Sequence, residues 1–173
     1  MKHKKVIASI LAAVLLCTIM IASGLADSSW REEQLKKFEE MQHSSIHANI
    51  SNGGFYYLKS SKFYVRKVTG VDMDGNFILG SWERVYNRSD VGFDEVDDVT
   101  LPGTAVCFAY SFDVRLGTDF PYSGVFWNKP DIRVSDIDIE TGGAVRTASI
   151  TIKVDNVTVV NETNCASHSD WTP

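Results

Sequence analysis

The sequence predicts a mainly β protein, in which an antiparallel β-sandwich-like domain follows an N-terminal signal or anchor segment and one short amphipathic helix. Three observations predict this. An uncharged apolar run fills the N-terminus, a helical apolar spacing comes next, and from Phe55 onward apolar and polar residues alternate between turn-forming residues. About seven short strands without intervening helices are typical of a sandwich and exclude a parallel nucleotide-binding sheet.

Residues 1–26 have the composition of an export signal. Three lysines precede an uncharged run from Val6 to Leu25, and Ala26 is a small residue of the kind that a signal peptidase requires. The run is also long enough, at about 1.5 Å per residue, to span a bilayer. Cleavage before Asp27 and retention as a signal anchor therefore stay as alternatives. Both predict that the rest of the chain lies outside the cytoplasm, whether periplasmic, secreted or anchored to the membrane.

Residues 27–54 are predicted to form a helix and a linker. A Ser–x–x–Glu capping box begins at Ser29, and an apolar row follows at helical spacing. This row consists of Leu35, Phe38 and Met41. The glycine-rich residues 51–54 end the segment.

Residues 55–173 are predicted to form the β domain with a C-terminal tail. The Asp74–Gly75 pair favours a two-residue hairpin turn, and a second hairpin is expected at residues 141–143. A bulge near Ser135 would keep the apolar residues of its strand on one face. The strands are predicted at residues 55–70, 75–86, 106–116, 123–127, 132–140, 144–155 and 157–160.

Two cysteines remain after the N-terminal segment, and they predict one disulfide. Cys107 lies on the polar side of the strand at residues 106–116, and Cys165 lies in a tail that has no strand pattern. Because disulfides persist outside the cytoplasm, the pair predicts a Cys107–Cys165 bond that ties the tail to the sheet. Two unpaired thiols are the alternative.

The charge of the exported part excludes some partners. Residues 1–26 hold three lysines and no acids, so the rest carries 14 basic and 22 acidic residues, a net charge of −8. Such a domain does not bind nucleic acid or an anionic membrane surface by charge. Membrane contact is therefore expected only through residues 1–26, if they are retained.

A cluster of acids between two predicted strands marks a candidate partner-binding site. The residues are Asp94, Glu95, Asp97 and Asp98. In an acidic loop they would bind another protein that has a basic surface, and a merely solvated loop is the alternative. Trp82, Trp127 and Trp171 are candidates for an aromatic surface beside it.

Two spacings resemble metal sites without completing them. His43 and His47 are four residues apart, but Ser44 follows His43 where a metalloprotease has its glutamate. Residues 72–83 have the acid spacing of a calcium loop, but its sixth position, which requires glycine, is Phe77, and Gly75 comes two places too early. No metal or other cofactor is predicted.

No catalytic motif is present, so the expected function is not enzymatic. The residues predict an extracytoplasmic protein-binding β domain, with an inhibitor or immunity-type protein of the cell envelope as its concrete form. The alternative is a metal-dependent hydrolase or a small-ligand-binding exported protein that uses His43, His47 and His168.

Overall fold

A computed structural model describes residues 28–54, 58–92, 94–114, 122–128, 132–144, 147–163 and 165. In this part of the chain a helix, α1 (residues 28–42), precedes ten strands that form two sheets. The strands are β1 (Ser45–Asn52), β2 (Leu58–Val71), β3 (Phe77–Leu79), β4 (Glu83–Arg88), β5 (Glu95–Pro102), β6 (Ala105–Val114), β7 (Tyr122–Asn128), β8 (Asp136–Ala144), β9 (Thr147–Val154) and β10 (Val157–Thr163). The predicted mainly β, sandwich-like fold is confirmed.

The two sheets have different topologies. The first sheet has the order β10-β9-β8-β1-β5, and the second has the order β3-β2-β6-β7. Strand β4 also belongs to the second sheet, because it pairs with residues 61–65 of β2 while β3 pairs with residues 68–71. All pairs are antiparallel except β1 and β8, which run parallel. Residues far apart in the chain therefore meet in the first sheet.

The main core lies between the sheets. Aromatic side chains fill it from the second sheet: Phe63 stacks on Phe108 and Phe126 with ring centroids 6.1 Å apart in each case. Isoleucines of β1, β8 and β9 cover them from the first sheet. Each of these fully buried side chains contributes about 1.5–3 kcal/mol of hydrophobic stabilisation. The buried hydroxyl of Tyr110 is satisfied by Ser61 at 2.6 Å.

A second, smaller core lies under helix α1. Met41 packs there with Val68, Val106 and Cys107, and Phe38 lies at its margin. The predicted helix face is thus confirmed for two of its three residues. The third residue, Leu35, lies at the edge of the contact and is 37% exposed.

Several predicted element boundaries are corrected. The helix ends at residue 42, and the predicted linker contains strand β1, whose Ile46, Ala48 and Ile50 enter the main core. Residues 141–143 continue strand β8 instead of forming a turn. No bulge is needed near Ser135, because β8 begins only at the next residue.

The predicted disulfide is not formed in the structure. Cys107 and Cys165 are both buried thiols, but they belong to different cores. Cys107 faces the small core under the helix, and the backbone N–H of Cys165 is bonded to Ala148 O of strand β9. Burial raises the pKa of both thiols, that of Cys165 to about 11. Packing, and not a covalent bond, therefore holds Cys165 at the sheet.

Candidate functional site

The turn between β2 and β3 is built around the carboxylate of Asp72. Its Oδ1 accepts hydrogen bonds from the backbone N–H groups of Asp74 at 2.9 Å and Asn76 at 2.8 Å. These bonds, led by the one from Asn76, lower the pKa of Asp72 despite a smaller opposing effect of desolvation. Gly75 has a φ of 82°, a conformation that favours glycine. A hairpin is therefore present, but residues 72–76 connect its strands instead of the predicted two-residue turn.

The start of helix α1 packs on this turn. A Cβ added to Gly75 would lie 2.6 Å from Cδ1 of Trp30, so the indole lies directly against the glycine. Arg31 Nε donates a hydrogen bond to the carbonyl oxygen of Asp72 at 3.0 Å. The ammonium of Lys37 lies 5.6 Å from the centre of the Trp30 ring. The helix start and the hairpin turn thus form one end of the domain.

This end exposes large apolar side chains. Met73, inside the turn, is 81% exposed, and Trp30 and Ile78 are each 48% exposed. We call these three residues the apolar end. Phe77 and Leu79 on either side of Ile78 contact the small core, so Ile78 is on the opposite face of β3. Isolated exposed apolar residues are ordinary. Trp30 and Met73 belong to one contact between the helix start and the turn, whereas Ile78 lies beside the turn on the side of β3 that faces away from the small core.

The sequence did not single out the apolar end. It drew attention to Trp82 and Trp127, which instead pack at the margins of the small core and the main core, and to Trp171, which lies outside the described residues. The signal available was Met73 itself, because a large apolar residue inside an Asp–x–Asp–Gly turn has no core to enter.

The four acidic residues predicted to bind a partner do not form one loop. Asp94 precedes β5 with a φ of 56°, and Glu95, Asp97 and Asp98 lie on β5. Asp94 and Asp98 are exposed, whereas Glu95 and Asp97 are only partly so. The predicted acidic loop is thus corrected to a strand whose acids point to two different sides.

Glu95 and Asp97 are bound to Arg88 of strand β4. Arg88 Nη1 donates to both carboxylate oxygens of Asp97 at 2.8 and 2.7 Å, and Nη2 pairs with Glu95. The hydroxyl of Tyr86 donates to Asp97 at 2.6 Å. Burial raises the pKa of Asp97, but these hydrogen bonds and the Arg88 charge outweigh it and keep that pKa below its usual value. These two acids therefore connect the first sheet to the second.

The histidines considered as metal ligands in the alternative function are on different elements or outside the described residues. His43 follows the end of helix α1, and His47 lies on strand β1 with its side chain exposed. His168 lies outside the described residues. Among those that the structure describes, no three His, Cys, Asp or Glu side chains are grouped so that they could hold a metal ion.

Comparisons with known proteins give likenesses of fold only. No protein-family model matches the chain, and no curated protein matches it. Listeriolysin O is 21% identical over 65% of this chain with a TM-score of 0.48. The membrane-binding domain of pneumolysin is 15% identical over 65% with a TM-score of 0.45, and a Gram-negative toxin is 11% identical over 64% with a TM-score of 0.47.

The matched region is a part of most of these proteins. The chain covers 23% of the listeriolysin O chain and 23% of the Gram-negative toxin, but 98% of the isolated pneumolysin domain. At such identities and TM-scores the role of no residue is transferred to this chain.

The comparisons correct the expected function. The inhibitor or immunity-type protein-binding domain is wrong, because the solved structures that resemble the fold are toxins and a membrane-binding domain. They are in keeping with the predicted location outside the cytoplasm. No helix within the described residues is long and apolar enough to cross a membrane, and the predicted signal or anchor segment lies outside them.

Proposed function

We propose that this protein is a membrane-anchored β domain that lies outside the cytoplasm with its apolar end on the lipid surface. Residues 1–26 are the anchor in this proposal. The observation that carries it is the position of the apolar end, which is formed by the start of helix α1 and the turn that the helix covers. The exposed apolar side chains are therefore at the place where the chain enters the domain.

Chain length keeps Trp30 close to the bilayer. Trp30 is four residues after Ala26, the last residue of the predicted anchor. Four residues span about 6 Å as a helix and at most about 14 Å when extended, so Trp30 stays within the headgroup layer or next to it. Tryptophan is enriched at this depth because its ring is apolar and its N–H is polar.

The apolar end orients the domain and does not anchor it alone. Full burial of a Met, Ile or similar side chain contributes about 1.5–3 kcal/mol, and two of the three residues have only half of their surface left to bury. The sum is a few kcal/mol, which is far less than insertion of a membrane-spanning helix provides. A retained anchor and an apolar end therefore have separate roles.

The charge of the domain agrees with contact through apolar side chains. The exported residues carry a net charge of −8, so the domain as a whole is not attracted to anionic lipids, and contact through the apolar end needs no cation cluster. The proposal departs from the expectation that only residues 1–26 meet the membrane, because it adds a contact at the apolar end. The predictions that the protein is not an enzyme and that it meets a partner with a basic surface stay predictions.

Fluorescence quenching by brominated lipids tests the proposal. The full chain is reconstituted into vesicles whose lipids carry bromine near the headgroup end of the acyl chain. We expect a large quenched fraction of the tryptophan emission, and we expect Trp30→Phe to remove most of that fraction. Trp82→Phe is the control, because Trp82 packs at the small core. An unchanged quenched fraction in Trp30→Phe would contradict the proposal.

A further inference from the structure

The outer face of the second sheet is basic. Lys62, Tyr64 and Arg66 of β2 alternate with the buried residues of that strand and so point away from the main core. Arg66 is paired with Cys107, which packs under helix α1, so the helix covers the Arg66 end of this face. Arg84 of β4 is paired with Tyr64. We call Lys62, Arg66 and Arg84, with Tyr64 between them, the basic face. Asp113, two residues along β6 from the partner of Lys62, is the one acid on the paired strands of this face.

The cations of the basic face are not neutralised within the described part of the chain. None of Lys62, Arg66 and Arg84 is within ion-pair distance of a described carboxylate. Arg66 Nε donates to the carbonyl oxygen of Gly80 at 2.8 Å, which fixes its side chain along the sheet. In an exported chain with 14 basic residues and 22 acidic ones, three unneutralised cations on one face are a marked segregation of charge.

The outer face of the first sheet has the opposite charge. Four carboxylates alternate with the buried residues of β5 and β8, and we call them the acidic face: Asp98, Asp136, Asp138 and Glu140. Asn49 of β1 lies between two of them, paired with Asp98 on one side and Asp138 on the other. Lys153 of β9 is paired with Asp138 and bonded to Glu140 at 3.0 Å, so one lysine stands against four carboxylates on the strands of this face.

We propose that the basic face of one copy binds the acidic face of the next copy. The two charged faces are on opposite sides of one sandwich, so each molecule offers both halves of the contact. Such a contact is heterologous: it joins different surfaces and continues from copy to copy until a ring closes. Opposite potentials on the facing surfaces favour this arrangement and disfavour pairing of like faces.

The size of the faces makes the contact weak for single molecules in solution. Five strands about 4.8 Å apart and about seven residues long would cover roughly 500 Å², or about 1,000 Å² for both copies, which is the lower limit for a specific interface. Helix α1 covers the Cys107 end of the second sheet, so the open area is smaller than this limit. The proposal does not depend on membrane binding. Anchoring would nevertheless raise the local concentration of the domain at the membrane. Copies related by a rotation about the membrane normal would also keep all their apolar ends on the membrane surface.

Zero-length cross-linking of the native full chain tests the contact without any substitution. A carbodiimide joins an amine to a carboxylate only where the two touch. Because the faces point in opposite directions from sheets about 10 Å apart, Lys62 cannot reach Asp98 or Asp138 of its own copy. We expect a cross-linked peptide between Lys62 and one of these residues in detergent at low salt, and we expect it to disappear at high salt. Absence of this peptide at low salt would overturn the proposal.

A charge exchange supplies the second test, measured by sedimentation of the full chain with detergent in excess. Lys62→Glu with Arg84→Glu gives a molecule with two acidic faces, and Asp98→Lys with Asp138→Lys gives one with two basic faces. Each variant alone should remain a single copy, and an equal mixture should associate. Lys36→Glu, on the exposed side of helix α1, is the control and should associate like the native chain.

Sedimentation of the equal mixture of the two variants decides whether the proposal holds. Circular dichroism identifies the variants that are folded. Folded variants that do not associate when mixed, or that each associate as strongly as the native chain, would overturn the proposal. A native chain that stays single while its basic face binds an anionic polymer would also overturn it, since the face would then have a different occupant.

Discussion

At the scale of single residues, the acids of β5 show why charge alone is a poor guide to exposure. Glu95 and Asp97 occupy the inward positions of the strand, while Val96 is 65% exposed on the outward side. Sequence reasoning expects the reverse, because it assigns valine to the core and carboxylates to solvent. The partner that makes inward carboxylates favourable is Arg88, which comes from the other sheet. No local pattern indicates that pairing.

Removal of the Asp97 carboxylate should destabilise the domain in a pH-dependent way. The pKa of Asp97 is lower in the folded chain than its usual 3.8, so the ionised form contributes stability above that pH and loses it as the pH falls through the folded value. We expect Asp97→Asn to reduce the free energy of unfolding by about 1–2 kcal/mol at neutral pH, because Asp97 is partly exposed, and by less at about pH 3.

The measurement is denaturant unfolding at both pH values. Asp98→Asn is the matched control: Asp98 is the next residue along β5, points outward and has no contact with Arg88. Two results would show that the carboxylate does not connect the sheets. In one, Asp97→Asn lowers the free energy of unfolding equally at both pH values; in the other, it lowers it no more than Asp98→Asn does.

At the scale of elements, the sequence predicted well those parts that local chemistry determines. Strand β6, a helix near Ser29 and a hairpin at Asp74–Gly75 were all predicted and are present, although residues 105–110 of β6 are buried on both faces and the hairpin connection is longer than two residues. Strand β1 was missed, although Ile46, Ala48 and Ile50 alternate in it. Its parallel partner β8 is about ninety residues away, so only the long-range pairing distinguishes a strand from a linker there.

The close contact between helix α1 and the β2–β3 turn predicts that a single methyl group added at Gly75 destabilises the domain. Gly75→Ala would place a Cβ 2.6 Å from the Trp30 ring, in a backbone conformation with a φ of 82°. We expect the free energy of unfolding to fall by about 1–2 kcal/mol, the sum of backbone strain and displacement of the indole. Trp30 emission should shift as the ring leaves the turn.

Gly70→Ala provides the comparison on the same hairpin, since its nearest neighbour, Cδ1 of Ile78, is at an ordinary 3.8 Å. It should change stability and emission little. If Gly75→Ala costs no more than Gly70→Ala, then the helix start does not rest on the turn as the structure shows.

At the scale of the whole molecule, the two cysteines lie in separate cores and do not form the disulfide that the cysteine count predicted. The predicted export signal, the even number of cysteines and the absence of a strand pattern in the tail sequence all indicated a disulfide. The count could not show that Cys107 lies under the helix and Cys165 in the main core. The same limit applies to the apolar end, because Trp30 meets the turn that contains Met73 only when the helix packs on the hairpin.

The two thiols predict a simple chemical result. Unfolded in the absence of reductant, the native protein should react with an alkylating reagent at both Cys107 and Cys165. In the folded protein both should react slowly, because burial shields them and raises their pKa. Peptide mapping that finds Cys107 and Cys165 linked in protein from an oxidising compartment would contradict the two-core arrangement.

The depth of residue 73 in the bilayer tests the membrane proposal most directly. Met73→Cys is introduced into the full chain with Cys17→Ser, so that a nitroxide label reports on the turn while the native buried thiols react slowly. Val96→Cys is the matched control, because Val96 is also exposed and apolar but lies on β5. In vesicles, the label at residue 73 should collide more often with oxygen dissolved in lipid and less often with a water-soluble nickel complex than the label at residue 96. Equal accessibility of both labels to the nickel complex would contradict the proposal that the apolar end lies on the membrane.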